Sequence, residues 1–340
     1  MDAIIRKDLD IIRDNLLEFK DKIRGSLFLV TGGAGFLGSW ICDVLNSFDA
    51  NIICVDNMIS GSESNISHLY GQENFSIIKN DVSNLTISEN VDYVIHMACI
   101  ASPPMYQKHP IETLNANILG TKNMLDFAKR IKVKTFLFAS TSEVYGDAKI
   151  IPTPESYCGN VNLFGPRSVY DEGKRAAELY CYSYHKQFHL PIRIARIFNT
   201  YGPRLDAKLN TQYGRVVTKF IYQALKHRPL TVYGDGTQTR SFCYITDQIE
   251  GLFKLMLVPE LDGKVINIGN DEEITILELA KLILKLTNSK SEISFESLPE
   301  NDPKRRKPKI NKAKRSLRWK PKIDLKTGLH KTIEWIMSEN

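Results

Sequence analysis

The sequence predicts an α/β protein built on a Rossmann-type, doubly wound parallel sheet, with a smaller C-terminal α/β lobe and an N-terminal amphipathic helix. Apolar runs of strand length alternate with helical patterns over the first 200 residues. A glycine-rich turn joins the first strand to the helix after it, and a carboxylate ends the second strand. Near-continuous apolar strands separated by helices are typical of a parallel sheet that is covered on both faces.

The first 24 residues predict an amphipathic helix that ends at Gly25. Apolar residues recur at alternating spacings of four and three, which places them on one stripe: Ile5, Leu9, Ile12, Leu16, Phe19 and Ile23. Such a stripe packs either on the body of the same chain or on a second copy, and we favour the first.

The remaining elements follow from the periodicity of the apolar residues. Strands of the main sheet are predicted at residues 26–31, 51–56, 75–81, 91–98, 135–140 and 192–198, and its helices at 36–48, 109–131 and 170–188. Beyond Asn199 the pattern predicts helices at 216–227, 247–257 and 276–286 and short strands at 230–233, 241–245, 264–268 and 292–296. We therefore expect a helical extension (1–25), a sheet domain (26–200) and a lobe (201–340) from which some segments return to the main sheet.

The composition excludes several classes of protein. The chain of 340 residues is 43% apolar and 25% charged, as globular proteins are. Its net charge of +6 comes without a clustered basic face, so nucleic acid is not an expected partner. No apolar run approaches the roughly 20 residues of a membrane span, and no apolar signal core begins the chain. The six cysteines form no CxxC pair and the seven histidines no HExxH motif, which indicates free thiols, a cytoplasmic location and no metal site.

The glycine-rich turn predicts a dinucleotide site. Gly32, Gly35 and Gly38 lie directly between the first strand and the first helix of the sheet. Such glycines allow a tight turn, a close approach of the backbone to a pyrophosphate, and tight packing of helix on strand. Asp56 ends the second strand, where a carboxylate accepts both ribose hydroxyls of NAD and repels the 2′-phosphate of NADP. Asp81, at the end of the next strand, is a candidate contact to adenine.

Tyr170 and Lys174 predict a redox centre. They are four residues apart, hence on one face of a helix. Removing a hydride from an alcohol needs a base for its proton, and a phenol, with a pKa of about 10, needs nearby positive charge for that role. Ser140–Gly146 follows another apolar strand, so Thr141, Ser142 and Glu143 are expected in the same crevice.

These motifs resemble those of the extended short-chain dehydrogenase/reductases, which include the NAD-dependent nucleotide-sugar epimerases, dehydratases and decarboxylases. The resemblance runs from about Ser26 to the C-terminus and rests on Thr31-Gly-Gly-Ala-Gly-Phe-Leu-Gly38, Asn117-Ile-Leu-Gly-Thr121, Ser140–Gly146, Tyr170-x-x-x-Lys174 and Ala195-Arg-Ile-Phe-Asn-Thr-Tyr-Gly-Pro-Arg204. Within the family the chain is most similar to the UDP-glucuronate decarboxylases, through Ala101-Ser-Pro-Pro104, Gly165-Pro-Arg167, Tyr170-Asp-Glu-Gly-Lys-Arg175, Gly214-Arg-Val-Val217 and Gln238-Thr-Arg240.

The resemblance implies a site for NAD and a site for a nucleotide sugar. The implied cofactor contacts, besides the glycines, are Phe36, Leu37, Asp56, Asn57, Asp81, Val82, Ala98, Asn117, Tyr170 and Lys174. The implied catalytic residues are Thr141, Ser142, Glu143, Tyr170, Lys174 and Arg240. The implied substrate contacts are Pro104, Tyr106, Asn199, Arg204, Arg215, Val216, Tyr233, Gln238, Arg240 and Arg306. A homodimer that pairs residues 109–131 and 170–188 across a four-helix interface is also implied.

For such a decarboxylase, Thr141 and Tyr170 are expected to hold the 4-hydroxyl of the sugar while Tyr170 takes its proton. The 4-ketone formed with NAD then lets the C5 carboxylate leave as CO₂, and Glu143, Ser142 and Arg240 are the candidates to bind and protonate at C5.

Some residues depart from the decarboxylase pattern. Met105 and Asn160 stand where the decarboxylases usually have His, Cys158 stands where they have Trp, and the stretch Leu205–Tyr213 is longer than in most of them. The alternatives are therefore a nucleotide-sugar 4-epimerase, a dehydratase or a C4 dehydrogenase, and, outside enzymes, an NAD-sensing Rossmann protein. Ser142, where the 4,6-dehydratases have an acidic Asp, argues against dehydration.

Overall fold

The computed structural model, which describes residues 2–205, 215–299 and 302–339, is organised around a seven-stranded parallel sheet. The strands run in the order β3-β2-β1-β4-β5-β6-β11. Their bounds are β1 Leu27–Thr31, β2 Asn51–Asp56, β3 Phe75–Lys79, β4 Tyr93–His96, β5 Thr135–Thr141, β6 Ile192–Ile197 and β11 Lys264–Ile268. Because β1 lies between β2 and β4, the order of connection reverses there, and α/β sheets bind ligands at such a point. The predicted Rossmann-type sheet is confirmed.

Helices cover both faces of this sheet. Their bounds are α3 Phe36–Ser47, α4 Pro103–Lys108, α5 Pro110–Asn115, α6 Thr121–Ile131, α7 Ser168–Phe188 and α9 Ile245–Leu257. The helix predicted over 109–131 begins one residue later, because Pro110 occupies its first turn, and a π-helical turn at Ala116–Gly120 separates α5 from α6.

The N-terminal segment forms two helices instead of the one predicted. Helix α1 is Ala3–Asn15, and it ends there because the backbone of the next residue, Leu16, is not helical (φ −112°). A 3-10 turn follows, and α2 is Lys20–Ile23. The predicted apolar stripe is buried nonetheless, because α1 packs on α3 and α9 of the same chain. Buried Asp8 anchors it by accepting from Tyr244 Oη at 2.6 Å and pairing with Lys331.

The C-terminal half builds small sheets above the carboxyl edge of the main one. These sheets also include the short strand β7, Thr200–Tyr201. The other elements are α8 Val216–Leu225, β8 Leu230–Tyr233, β9 Thr239–Arg240, β10 Cys243–Tyr244, β12 Ile274–Thr275, α10 Ile276–Leu286, β13 Ile293–Glu296, β14 Arg305–Arg306, α11 Asn311–Ser316 and α12 Leu325–Ser338. Strand β8 pairs with β13, β10 with β7, and β9 lies between β12 and β14. Within the described ranges, no helix has the length and apolar character needed to cross a bilayer.

Several predicted bounds change. The run at 241–245 is a strand only at Cys243–Tyr244, since Ile245 opens α9, and α8 stops at Leu225 because His227 is left-handed (φ 53°). Most of the unusual stretch Leu205–Tyr213, together with Gly214, lies outside the described residues.

Candidate active site

A cleft of about 1120 Å³ lies along the carboxyl edge of the sheet and beneath the C-terminal elements. Its wall includes residues at or just after the ends of five strands: Gly32, Asp56, Ala98, Thr141 and Asn199. The volume exceeds the range of about 300–1,000 Å³ that is usual for one small ligand, so the cleft has room for two ligands side by side.

The glycine loop at one end of the cleft fits a pyrophosphate. Gly32 has a left-handed backbone (φ 71°), and a Cβ on Gly38 would collide with the carbonyl oxygen of Gly32. Any larger residue at position 38 would therefore push α3 away from β1. The free N–H groups at the start of α3 line this end of the cleft, where they are available to an anion.

Asp56 is held at the wall of the cleft by two backbone donors. Its Oδ2 accepts from Ala34 N at 3.0 Å and its Oδ1 from Met58 N at 2.9 Å. Burial raises the pKa of this carboxyl, and the two hydrogen bonds lower it in part. Each carboxylate oxygen keeps a lone pair for a ribose hydroxyl.

Two predicted cofactor residues are not brought to the wall. Asp81 accepts from Asn57 Nδ2 at 2.9 Å and from Ser83 N at 2.8 Å, so it orients Asn57, which does line the cleft. Asn117 is buried in the π-helical turn against Gly173. Both lie behind residues that face the cleft.

Tyr170 lies near the middle of the cleft in an apolar setting. It is 6% exposed, and its ring stacks on that of Tyr106 with the centroids 5.2 Å apart. Burial and the nearby Cys99 thiol raise its pKa well above the ordinary value, and a hydrogen bond with Thr141 lowers it in part. Its use as a base at neutral pH therefore depends on additional positive charge.

Lys174 lies one turn further along α7, as predicted. Its Nζ donates to Ala139 O at 2.8 Å and lies 4.9 Å from the centroid of the Phe138 ring. The ammonium is thus buried at the end of β5, on the same wall of the cleft as Tyr170.

A cluster of arginines and carboxylates lies beside Tyr170. Glu143 Oε2 accepts from Arg167 at 2.6 Å and from Arg306 at 2.9 Å, and Arg306 also binds Oε1. Burial opposes ionisation of Glu143, but the two guanidinium groups lower its pKa to about 2. Glu143 is therefore a carboxylate at neutral pH, fixed in place by two guanidinium groups.

Arg240 belongs to the same cluster through a different carboxylate. It donates to Asp302 at 2.8 Å and to its own neighbour's carbonyl, Thr239 O, while Asp302 also lies 3.6 Å from Arg167. Glu143 is thus paired with Arg167 and Arg306, and Arg240 is paired with Asp302. Three guanidinium groups are ion-paired with two carboxylates here, and the carboxyl of Asp171 interacts with the same groups.

The sequence profile of the NAD dependent epimerase/dehydratase family matches residues 28–269. The chain belongs to this family.

Characterised relatives extend the match across most of the chain. UDP-glucuronic acid decarboxylase 1 of Xenopus tropicalis is 47% identical over 323 residues, covering 95% of this chain and 74% of that protein. UDP-glucuronic acid decarboxylase 5 of Arabidopsis thaliana is 49% identical over 302 residues, covering 88% and 86%. Among solved structures, UDP-glucuronic acid 4-epimerase of Bacillus cereus, in complex with UDP-glucuronic acid and NAD, has a TM-score of 0.84 at 32% identity, covering 92% of this chain and 100% of that one.

As a member of this family the chain uses NAD, and the glycine loop with Asp56 supplies the features that such a cofactor needs. Apart from Asp81 and Asn117, the predicted site residues all line the cleft, including the substrate candidates Pro104, Tyr106, Asn199, Arg204, Arg215, Val216, Tyr233, Gln238, Arg240 and Arg306.

Arg204, another predicted substrate contact, is held by buried partners. It is 6% exposed, pairs with the fully buried Asp43 of α3 at 2.7 Å, and lies over the Trp40 ring. The glycine loop leads directly into α3, so this ion pair joins the start of the C-terminal half to the part of the cleft that holds the NAD pyrophosphate.

Arg167 and Asp302 were missed as site residues. Arg167 is one helical turn before Tyr170 and stands in the Gly165-Pro-Arg167 motif, so its position held a usable signal. Asp302 lies in an irregular segment, where no periodicity points towards the cleft.

Proposed function

We propose that this protein decarboxylates UDP-glucuronate to UDP-xylose through a transient 4-keto sugar, with NAD as a retained cofactor. The observation that carries the proposal is the cluster of Arg167, Arg240 and Arg306 with Glu143 beside the Tyr170–Thr141 pair. Identity of 47–49% to UDP-glucuronic acid decarboxylases supports the same conclusion.

The first step needs a base at the sugar's 4-hydroxyl. The hydroxyls of Thr141 and Tyr170 interact through a hydrogen bond, so they lie close together. A sugar hydroxyl next to them can contact both, with one as donor and the other as acceptor. Bound NAD supplies oxidation of C4 and, at the end of the cycle, its reduction. Positive charge favours the ionised form of Tyr170 in this step: Arg215 lowers its pKa, and the buried Lys174 ammonium lies on the same wall.

The second step needs an anion site next to that hydroxyl. Arg167 and Arg306 are held by Glu143, so their remaining N–H groups are fixed before the substrate arrives. Fixed donors of this kind stabilise the charge that develops as CO₂ leaves and an enolate forms. Ser142, 3% exposed at the same strand end, and Arg240 complete the wall around C5.

The test is to mix the NAD-loaded protein with UDP-glucuronate and to measure CO₂ release and the sugar product. CO₂ and UDP-xylose are the expected products. UDP-galacturonate without CO₂ would identify a 4-epimerase instead, and a released 4-keto sugar would identify a C4 dehydrogenase. Binding of NAD with no sugar product would identify a sensor.

We further propose a homodimer located in the cytoplasm. Large apolar side chains are exposed on the adjacent helical segments 110–131 and 168–188: Ile111, Leu119, Leu179 and Tyr182, each at least half exposed. Several large exposed apolar side chains on neighbouring helices are typical of an interface. All six cysteines are free and four of them are buried, as in proteins of reducing compartments.

A further inference from the structure

A lysine ammonium is buried in the cleft wall formed by α8 and β8. Lys219 is 9% exposed, and its Nζ donates to Tyr233 Oη at 3.1 Å and lies 4.6 Å from the centroid of the same ring. Among residues 2–205, 215–299 and 302–339, no carboxylate oxygen lies within ion-pair distance of this ammonium. Within the described part of the chain the ammonium has a phenol as its side-chain partner, and a buried cation so placed calls for an acceptor from the ligand.

The surroundings of Lys219 fit a flat heterocycle better than a phosphate. The wall here presents aromatic rings, aliphatic side chains and neutral polar groups, namely Val216, Phe220, Thr231, Tyr233, Gln238 and Ile276, and one further cation, Arg215, lines the cleft one helical turn before Lys219. The arginine–carboxylate cluster described above is made of other residues, and its ion pairs link its five members to one another. The sugar carboxylate and the diphosphate thus have other candidate partners, the arginine cluster and Arg215.

Side-chain hydrogen bonds fix α8 and β8, which form this wall, relative to each other. Gln223 of α8 bonds Thr231 of β8 twice, by its Nε2 to Thr231 Oγ1 at 2.8 Å and by its Oε1 from Thr231 N at 3.1 Å. Gln238 Nε2 donates to Tyr233 O at 2.8 Å. The helix that carries Lys219 and the strand that carries Tyr233 are therefore fixed relative to each other.

We propose that Lys219 selects the base of the nucleotide sugar: its ammonium, oriented by Tyr233, donates to the 4-carbonyl oxygen of uracil and so favours uridine over cytidine nucleotides. Uracil presents an acceptor at this position, whereas cytosine presents an amino donor, which an ammonium cannot satisfy. The inference rests on the proposed function only in assuming that the ligand is a nucleotide sugar.

The test is calorimetric titration of the NAD-loaded protein with UDP, CDP and inorganic pyrophosphate. Wild type is expected to bind UDP more tightly than CDP. Lys219→Met keeps the length of the side chain but removes the charged donor. It should lower the affinity for UDP about 10- to 100-fold, the usual range for a charged hydrogen bond, and leave the affinities for CDP and pyrophosphate unchanged. Lys219→Arg should keep the preference for UDP. Lys226→Met, exposed just beyond the same helix, is the matched control and should change nothing.

If Lys219→Met binds UDP, CDP and pyrophosphate more weakly by the same factor, the ammonium contacts the phosphates and the proposal is wrong. An unchanged preference for UDP over CDP in this variant would also overturn it. If circular dichroism shows that Lys219→Met is unfolded, Lys219→Gln supplies the same comparison. Because these titrations involve no turnover, failure of decarboxylation with UDP-glucuronate would leave the base preference standing, and the reverse also holds.

Discussion

Replacing Glu143 by Gln separates the two chemical steps. The substitution removes the charge that holds Arg167 and Arg306, and it presents an amide donor to one of these guanidinium groups. It leaves the hydrogen bond between Thr141 and Tyr170 in place. Because the Glu143 charge is one of the causes that raise the pKa of Tyr170, its loss moves that pKa towards the range of a working base.

The cost in stability follows from the pKa of Glu143. Its value of about 2, against an ordinary 4.5, means that the folded state favours the carboxylate by on the order of 3 kcal/mol at neutral pH. This contribution is present above pH 4.5 and is lost as the pH falls towards 2. Glu143→Gln should therefore lower the free energy of unfolding at pH 7 by about 3 kcal/mol, measured by urea titration.

The assay follows reduced cofactor and CO₂ together after UDP-glucuronate is added to the NAD-loaded variant. We expect reduced cofactor to accumulate while CO₂ release falls about 10²–10³-fold, as when fixed donors to a developing charge are lost. Glu250→Gln is the matched control, because the buried Glu250 is also paired with two cations, Lys254 and Lys322, and none of the three lines the cleft. Loss of both signals in a folded, UDP-binding Glu143→Gln protein would refute this division of roles.

Four further predictions concern separate parts of the molecule. Tyr170→Phe should keep the fold and NAD binding but lose about 10²–10⁴-fold in turnover, and near-normal turnover would place the base elsewhere. Asp56→Ala should weaken NAD by about 1.5–3 kcal/mol and NADP by less in a titration of each cofactor, whereas equal losses would contradict the assignment of Asp56 to the ribose. Burial and the Glu143 charge raise the pKa of Asp171 to about 7, so its carboxyl destabilises the fold increasingly as the pH rises from about 4 to 7. Asp171→Asn should therefore stabilise the protein by about 2 kcal/mol more at pH 8 than at pH 5 in urea unfolding, and an equal effect at both would reject this pKa. Leu179→Asp should convert a dimer to a monomer in analytical ultracentrifugation, and an unchanged mass would move the interface elsewhere.

The main sheet was predictable because its strands carry the information locally. Buried parallel strands such as β1 and β5 are continuous apolar runs, and the glycine turn after β1 has a spacing that few other structures require. The π-helical turn at Ala116–Gly120 was not predictable, since it keeps the apolar periodicity of the helices on either side. The short strands β9 and β14 were not predicted because a strand of two residues is too short to show a periodicity. Their pairing is decided by tertiary contacts.

The site was predictable where a residue stands at a strand end or a fixed helical spacing, as Thr141 and Lys174 do. The partners of the charged residues were not. Arg240 and Arg306 are paired in register on β9 and β14, yet only the folded structure decides that Arg306 reaches Glu143 while Arg240 reaches Asp302.

The packing of α1 against α9 also constrains how the protein is made. The apolar stripe at the start of the chain is buried by a helix at Ile245–Leu257, and Asp8 is anchored by Tyr244 and Lys331. At usual rates of synthesis, roughly 10–50 s pass between translation of the stripe and translation of α9. The seventh strand, β11, arrives later still. A ribosome-bound chain stalled after residue 200 should thus lack native protection of α1 against proteolysis, although α1 is translated before α9.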